Sequence, residues 1–390
     1  MTHPKRDEIK ILHVDPVHML GGGQLSLLEL LKTFDPRYLS GVACGDSHAE
    51  FVGALRSTRA EVFPTYVPNL KRVLCIPALA RGVASLRKVI RNFKPDIIHS
   101  NAGRAHVLSA IAGRLCGVPV IWTMRAPDLP LPIYRLLVGA AEKVIFVSRH
   151  IASAYKRLPC DDKVCVILNG ILPPSINANL ERARIRKEYA IPHNAPVVAS
   201  VGRLEPWKGQ DHFIRAARIV KAMLPDARFL IVGDGRSKPY RQRLQALASQ
   251  NSLRGSVTFT GFRPDAISCM CASDVVVHTS TLPEPFGRVI VEAMAVGVPV
   301  IASPYGGPSE IIEHGSTGLL APPESVDELA DAVIKILSDK EYAHRLAING
   351  CAAFQERFHQ RRETEEVQRI YDEVAAIHSE YHGRYYGAFL

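Results

Sequence analysis

Two carboxylates stand eight residues apart in Pro283-Glu284-Pro285-Phe286-Gly287-Arg288-Val289-Ile290-Val291-Glu292. Glu284 lies in a proline-bounded loop after a strand-type run, and Glu292 just over one turn into the helix that follows. The unpaired N–H groups at Phe286–Arg288 would attract a phosphate. Glu292 is then placed to accept hydrogen bonds from ribose hydroxyls, and Glu284 to reach those of a sugar; a carboxylate in a helix's first turns can also be only a dipole partner. Upstream, Gly202-Arg203-Leu204-Glu205-Pro206-Trp207-Lys208-Gly209 follows another strand directly. Arg203 and Lys208 offer the permanent positive charge that a diphosphate leaving group requires; the plainer reading is two solvated loop cations. A third feature, Gly21-Gly22-Gly23, joins a strand to a helix without matching GxGxxG or a P-loop. It reads equally as a tight turn or a phosphate site.

Alternating strand and helix patterns must position these residues. Strand-type runs occur at Ile9–Val14, Gly41–Cys44, Glu61–Phe63, Ile97–His99, Val118–Trp122, Lys143–Val147 and Cys165–Leu168. The pattern pauses at Asn169-Gly170 and resumes at Val197–Val201, Arg228–Val232, Val257–Phe259, Val275–Thr279 and Val298–Ala302. This is the rhythm of parallel sheets covered on both faces. The expected organisation is an α/β domain over 1–170, a proline-containing linker over 171–194 and a second α/β domain over 195–358. Residues 326–358 read as helical, and a last helix spans 360–380. Two doubly wound, Rossmann-like domains of similar size imply a cleft between them, with ligands beyond the carboxyl ends of the strands.

At 390 residues, 47% apolar and 22% charged, the chain is globular in composition, which excludes disordered and fibrous classes. No apolar run approaches the roughly 18 residues of a membrane span. No apolar signal segment follows Met1–Glu8, so a cytoplasmic location is expected. The eight cysteines lack a zinc-ribbon or disulfide spacing and read as reduced core thiols. The net charge of +10 is one-sided. Residues 1–175 carry 23 Lys and Arg against 13 Asp and Glu, whereas the remainder carries 25 of each. The first half therefore seeks an anionic partner. Its densest stretch, between Glu61 and Asp96, holds Lys71, Arg72, Arg81, Arg87, Lys88, Arg91 and Lys94 interleaved with apolar residues such as Leu74. Over 71–94 this reads either as a basic amphipathic segment on an anionic membrane or as an ordinary covering helix.

Taken in order, Gly21–Gly23, Gly202–Gly209, Glu284 with Glu292, and Ser303-Pro304-Tyr305-Gly306-Gly307-Pro308-Ser309-Glu310 resemble the retaining GT-B glycosyltransferases of family GT4 over about residues 9–375. The resemblance implies two Rossmann-like domains facing across a cleft, and transfer of a sugar from a nucleotide-sugar donor, UDP- or GDP-linked, to a glycan or lipid-linked glycan. It implies that Arg203 and Lys208 bind the diphosphate and that Glu292 holds the donor ribose. Glu284, with the backbone of Phe286 and Gly287, holds the donor sugar. Gly22 and Gly23 approach the phosphates, the loop with Phe262 and Arg263 lies at the nucleobase, and the last helix returns to the first domain. No cofactor and no metal are expected, and no Asp-x-Asp motif occurs. Where many relatives place a histidine after the strand ending near Thr123, this chain has Arg125. An arginine there suits a phosphate or carboxylate; otherwise His18, His99 or His106 takes that place. Other classes fit less well. An oxidoreductase requires GxGxxG, and Gly233-Asp234-Gly235-Arg236 lacks the third glycine. A non-catalytic membrane or nucleic-acid binder leaves the Glu and Arg/Lys motifs unexplained. An epimerase or a phosphorylase on the same fold remains open.

Overall fold

The computed structural model describes residues 8–16, 20–45, 49–68, 76–126, 131–155, 161–235 and 237–386. The chain divides into two compact units, one formed by residues 1–170 with 360–390 and the other by residues 171–359.

In the first unit, strands β1 (Ile9–Asp15), β2 (Tyr38–Cys44), β3 (Glu61–Pro64), β4 (Ile97–Ser100), β5 (Val120–Met124), β6 (Lys143–Phe146) and β7 (Val164–Val166) form a seven-stranded sheet in the order 3-2-1-4-5-6-7. All pairs are parallel. The connections carry α1 (Gly22–Thr33), α2 (Ala49–Leu55), α3 (Ile76–Phe93), α4 (Gly103–Cys116), α5 (Leu131–Gly139) and α6 (Arg149–Ser153). Helix α3 turns Val83, Leu86, Val89 and Ile90 into the core with Leu12, Val14 and Ile98. Its apolar stripe is thus spent on the sheet, as the covering-helix reading of this segment expects. Lys71, Arg72 and Leu74 lie outside the described residues.

The second unit begins with α7 (Ala178–Glu188). Strands β8 (Val197–Val201), β9 (Arg228–Val232), β10 (Val257–Gly261), β11 (Val275–His278), β12 (Val300–Ala302) and β13 (Leu319–Leu320) follow, in the order 10-9-8-11-12-13 and all parallel. Helices α8 (Gln210–Met223), α9 (Lys238–Gln250), α10 (Ala266–Cys271), α11 (Arg288–Ala295), α12 (Pro308–Ile311), α13 (Val326–Ser338) and α14 (Lys340–Ala353) cover it. The stretch 171–194 is not a linker. Asn177 caps α7 through Asn179 N and Leu180 N, and Arg182 and Arg186 both pair with Asp274. This helix docks through ionic contacts and buries only Ile185 and Arg186, so it lacks an apolar stripe at helical spacing.

The last helix, α15 (Gln360–Tyr386), belongs to the first unit. Val367, Ile370, Tyr371 and Val374 pack on Ile9, Ile11, Ile97, Ile121 and Ile145, covering one face of the sheet. Thr364 meets Thr33 at 2.6 Å, and Asp372 takes Arg37 at 2.7 Å and the Tyr38 hydroxyl at 2.9 Å. The six described cysteines are free thiols. Among the described residues no helix is long and apolar enough to cross a membrane.

Candidate active site

Each sheet reverses its strand order once, between β1 and β4 in the first unit and between β8 and β11 in the second. Ligands of open parallel sheets gather beyond the carboxyl ends of the strands at such points. Strands covered on both faces read as near-continuous apolar runs, so polar residues within them stand out. Five of them fall toward those same ends: His13 and Asp15 in β1, His99 and Ser100 in β4, and His278 in β11.

In the second unit, Lys208 ends a short 3-10 turn, Pro206–Lys208, after β8. Its Nζ bonds Glu284 Oε2 at 2.5 Å, both side chains being mostly buried, and lies 4.2 Å from the Trp207 ring centre. The same carboxylate oxygen accepts from Ser280 Oγ at 3.0 Å and His278 Nε2 at 3.3 Å. Burial alone would raise the Glu284 carboxyl, but the hydrogen bond from His278 and the charge of Lys208 hold it well below the usual carboxylate range. Burial lowers His278, which stays neutral near pH 7.

The Ser303–Glu310 motif fixes this carboxylate from the other side. Glu284 N donates to Tyr305 O at 3.0 Å, and Gly307 N donates to Glu284 O at 2.8 Å. A Cβ on Gly306 or Gly307 would collide with the backbone of Glu284 or Phe286, so only glycine permits that approach. Gly287 precedes α11 in the left-handed region, at φ 112°, and Phe286 is buried. Glu292 does not join the Lys208 cluster but pairs with Arg288, one turn back, at 3.2 Å. Arg203 pairs with Glu205 at 3.1 Å and keeps more than half of its side chain exposed. Phe262 is 60% exposed, beyond β10. The Arg263 side chain is instead engaged by Glu188, by Asp265 at 2.8 Å and by the Tyr189 hydroxyl at 2.8 Å, so it anchors the end of α7. Only its backbone is left to meet a base.

The first unit is built differently. Gln24 Oε1 accepts the Gly21 N–H at 3.2 Å, and Gln24 Nε2 donates to Asp15 Oδ1 at 3.0 Å. Arg125 lies along the glycine loop. A Cβ on Gly23 would stand 3.2 Å from Arg125 Cδ, and Arg125 donates to Asn169 Oδ1 at 2.9 Å. At the carboxyl ends of β1 and β4, His13, Asp15 and Asn101 are buried, and both nitrogens of His13, Oδ2 of Asp15 and both polar atoms of Asn101 have no protein hydrogen-bond partner. His13 and His99 are register partners across β1 and β4, with ring centres 5.4 Å apart. Burial, then Arg125, lowers His13 to about 3; burial raises Asp15 to about 6 against the opposing pull of Gln24, Arg125 and Arg104.

The histidines weighed against Arg125 are committed elsewhere. His99 bonds Tyr371 Oη at 2.6 Å and Thr123 Oγ1 at 2.7 Å, and His106 bonds Ser100 Oγ at 2.9 Å and Leu137 O at 3.0 Å. His18 lies outside the described residues. The sequence reading missed His13, Asp15, Asn101 and His278. Their signal was a polar residue at the end of an apolar run, as in Ile-Lys-Ile-Leu-His-Val-Asp and Val-Val-Val-His. Among the described residues no group of His, Cys, Asp and Glu is placed to hold a metal ion.

This architecture is that of a two-domain, nucleotide-sugar-dependent transferase, and known proteins agree. Residues 181–352 match the family model described as glycosyl transferases group 1, and residues 20–173 match that of glycosyltransferase family 4. An uncharacterised glycosyltransferase of Methanocaldococcus jannaschii is 30% identical over 266 residues, 63% of this chain and 67% of its own. A GDP-mannose-dependent α-(1-6)-phosphatidylinositol monomannoside mannosyltransferase of Mycobacterium tuberculosis is 28% identical over 350 residues, covering 77% of this chain and 87% of that one. Anabaena HepE, solved in complex with UDP-glucose, superposes with a TM-score of 0.80 at 29% identity over 93% of this chain and 99% of that one. The chain belongs to the group 1, family 4 glycosyltransferases and has the two α/β domains of the GT-B fold.

Proposed function

We propose that the second unit binds a nucleoside diphosphate sugar and that the chain transfers the sugar, with its anomeric configuration retained, to a glycan or lipid-linked glycan selected by the first unit. The observation that carries this reading is the Lys208–Glu284–His278–Ser280 cluster at the carboxyl ends of β8 and β11, locked by the glycines of the Ser303–Glu310 motif. In this reading Lys208 and the more exposed Arg203 take the diphosphate. Lys208 exchanges Glu284 for a phosphate oxygen, and the freed Glu284 carboxylate accepts hydrogen bonds from the donor sugar. The N–H groups at Phe286, Gly287 and Arg288 add positive potential, Glu292 accepts from the ribose, and Phe262 offers an exposed ring to the base.

Chemistry follows from charge placement. The bond from the anomeric carbon to the phosphate oxygen breaks as the acceptor oxygen bonds to that carbon on the same face. The acceptor proton passes to the departing phosphate oxygen. Stabilisation of the developing negative charge by Lys208 and Arg203 supplies most of the rate enhancement, with no metal required. Arg125 and the α1 N-terminus at Gly22 and Gly23 make the first unit the place for an anionic group on the acceptor. A lipid-linked acceptor would put the enzyme at the cytoplasmic face of a membrane.

The test is a thermal-shift panel of UDP, GDP, ADP and their common sugars without added metal. A ligand that binds only the folded state raises the midpoint according to its concentration over Kd. A shift with one base, lost in Glu292→Ala and Arg203→Ala, identifies the donor. NMR of the product's anomeric proton then reads retention. Product formed without acceptor points to an epimerase, a requirement for free phosphate points to a phosphorylase, and no shift with any nucleotide overturns the reading.

A further inference from the structure

Beside the two cations of the second unit stands a carboxylate with no role so far. Glu205 follows Arg203 by two residues and directly precedes the turn Pro206–Lys208. Both of its oxygens are engaged. Oε1 lies 3.1 Å from Arg203 Nη1, and Oε2 accepts the Trp207 indole N–H at 2.6 Å. The two partners differ in freedom. Arg203 keeps 56% of its side chain exposed and can turn to another anion. Trp207 is tied down. Its carbonyl accepts the Thr281 N–H at 2.8 Å and the Thr281 hydroxyl at 3.2 Å, and Lys208 Nζ sits over its ring. The Lys208 carbonyl takes the Thr279 hydroxyl at 2.9 Å, and a Cβ on Gly209 would stand only 2.0 Å from Thr279 O. The turn is thus bound closely to the loop after β11, and Trp207 holds Glu205 with it.

We infer, resting on the assignment of Arg203 and Lys208 to the diphosphate, that Glu205 is a fixed counter-charge that loosens the nucleoside diphosphate product more than the nucleotide sugar and so speeds product release. When Arg203 turns to a phosphate, Glu205 stays behind, held by Trp207. The two ligands differ in charge. In a nucleotide sugar both phosphates are esterified, and the diphosphate carries two negative charges. Departure of the sugar leaves a terminal phosphate with a second ionisation near pH 6, so at pH 7.5 the product carries about three. Arg203 and Lys208 match the two charges of the donor, and the third charge of the product meets Glu205. Two like charges about 7 Å apart under water-like screening cost each other about a threefold factor in affinity. The carboxylate therefore weakens the donor about tenfold and the product about 30-fold.

The experiment is titration calorimetry of the full chain with UDP, GDP, UDP-glucose and GDP-mannose at pH 5.5 and pH 7.5. Glu205→Gln keeps an acceptor for the Trp207 indole and removes only the charge. It is expected to tighten the nucleoside diphosphate about 30-fold at pH 7.5 and about tenfold at pH 5.5, where the terminal phosphate holds its proton. The nucleotide sugar tightens about tenfold at both pH values. In turnover, inhibition by added product strengthens about threefold relative to the donor KM. Trp207→Phe keeps a ring beside Lys208 but releases Glu205 toward water. It is expected to tighten the product about threefold alone and to add nothing in the Glu205→Gln background. A Glu205→Gln variant that binds the product no tighter, with a lowered melting midpoint, would reduce Glu205 to a shaper of the turn and overturn the inference. Equal tightening of donor and product at both pH values also overturns it. Wild-type protein that binds neither UDP nor GDP overturns the donor-site reading and this inference together, whereas binding by wild type with no gain in Glu205→Gln overturns this inference alone.

Discussion

The two units repeat one architecture and finish it in opposite ways. At the switch point of the second sheet the buried charges answer one another, with Lys208, Ser280 and His278 all converging on one oxygen of Glu284. At the switch point of the first sheet His13, Asp15 and Asn101 are buried with unanswered atoms. Among the described residues, every buried side-chain polar atom without a protein partner lies in the first unit except His212 Nδ1. Each such atom costs about 1–3 kcal/mol. The comparison teaches that one topological position can hold either a self-neutralised cluster, able to exchange partners, or an under-partnered one that burdens its own domain.

Acid offers the largest test of that difference. Buried His13 and His106, lowered by desolvation to about 3 and about 4, bind protons in the unfolded chain first. The stability they confer is complete above pH 6.5 and is lost as pH falls below it, by about 3 kcal/mol for each by pH 4. Asp15 opposes this, its raised pKa returning less than half of that total over the same range. Among the described residues, the second unit has only His278, lowered by burial, in this position. The two tryptophans, Trp122 and Trp207, report one unit each. In single-tryptophan variants, Trp122 fluorescence is expected to change at a higher pH than Trp207 fluorescence; simultaneous transitions would break the contrast.

The second unit is expected to fail instead when its pair is split. Lys208→Ala leaves a buried carboxylate without its cation, costing about 3 kcal/mol of stability and roughly 10²–10³-fold in sugar transfer. Lys208→Met/Glu284→Leu recovers the melting midpoint but not the activity. A smaller effect of opposite sign is expected in the first unit. Asp15, with its pKa raised to about 6, favours folding when protonated and loses that contribution as pH rises through 6. Asp15→Asn keeps the bond from Gln24 and is expected to stabilise the chain at pH 8 by about 2 kcal/mol, with little change at pH 4. A midpoint unchanged at both pH values would show that Asp15 is not the burden its burial implies. Smallest is Tyr371→Phe, which takes a partner from His99 and is expected to cost about 1 kcal/mol in denaturant midpoint.

What the sequence revealed divides along the same line. Lys208, Glu284 and Gly306-Gly307 stood out because each belongs to a short contiguous motif, and the structure brings them together; Glu292 and Arg203 stood out in the same way but pair with Arg288 and Glu205. The buried cluster of the first unit did not stand out, because His13 meets His99 only after two strands separated by some eighty residues pair. The anchoring of the Arg263 side chain was hidden for a related reason, its partner Glu188 lying in a helix that reads as a linker. The strand rhythm carried the fold well, except for the two-residue edge β13, too short to give a period. It also left open that 326–358 breaks at Asp339, whose side chain caps the next helix.

One helix sets the order in which the chain can reach its native state. The isoleucines on one face of the first sheet are covered by α15, which follows the 189 residues of the second unit in the chain. At ribosomal speeds of 5–20 residues per second, that face waits roughly 10–40 s for its cover. The second unit is contiguous and has all its parts in hand before α15 emerges. The nascent chain thus exposes a row of Ile9, Ile11, Ile97, Ile121 and Ile145 for most of its own synthesis, and the first-made half of the protein is the last to close.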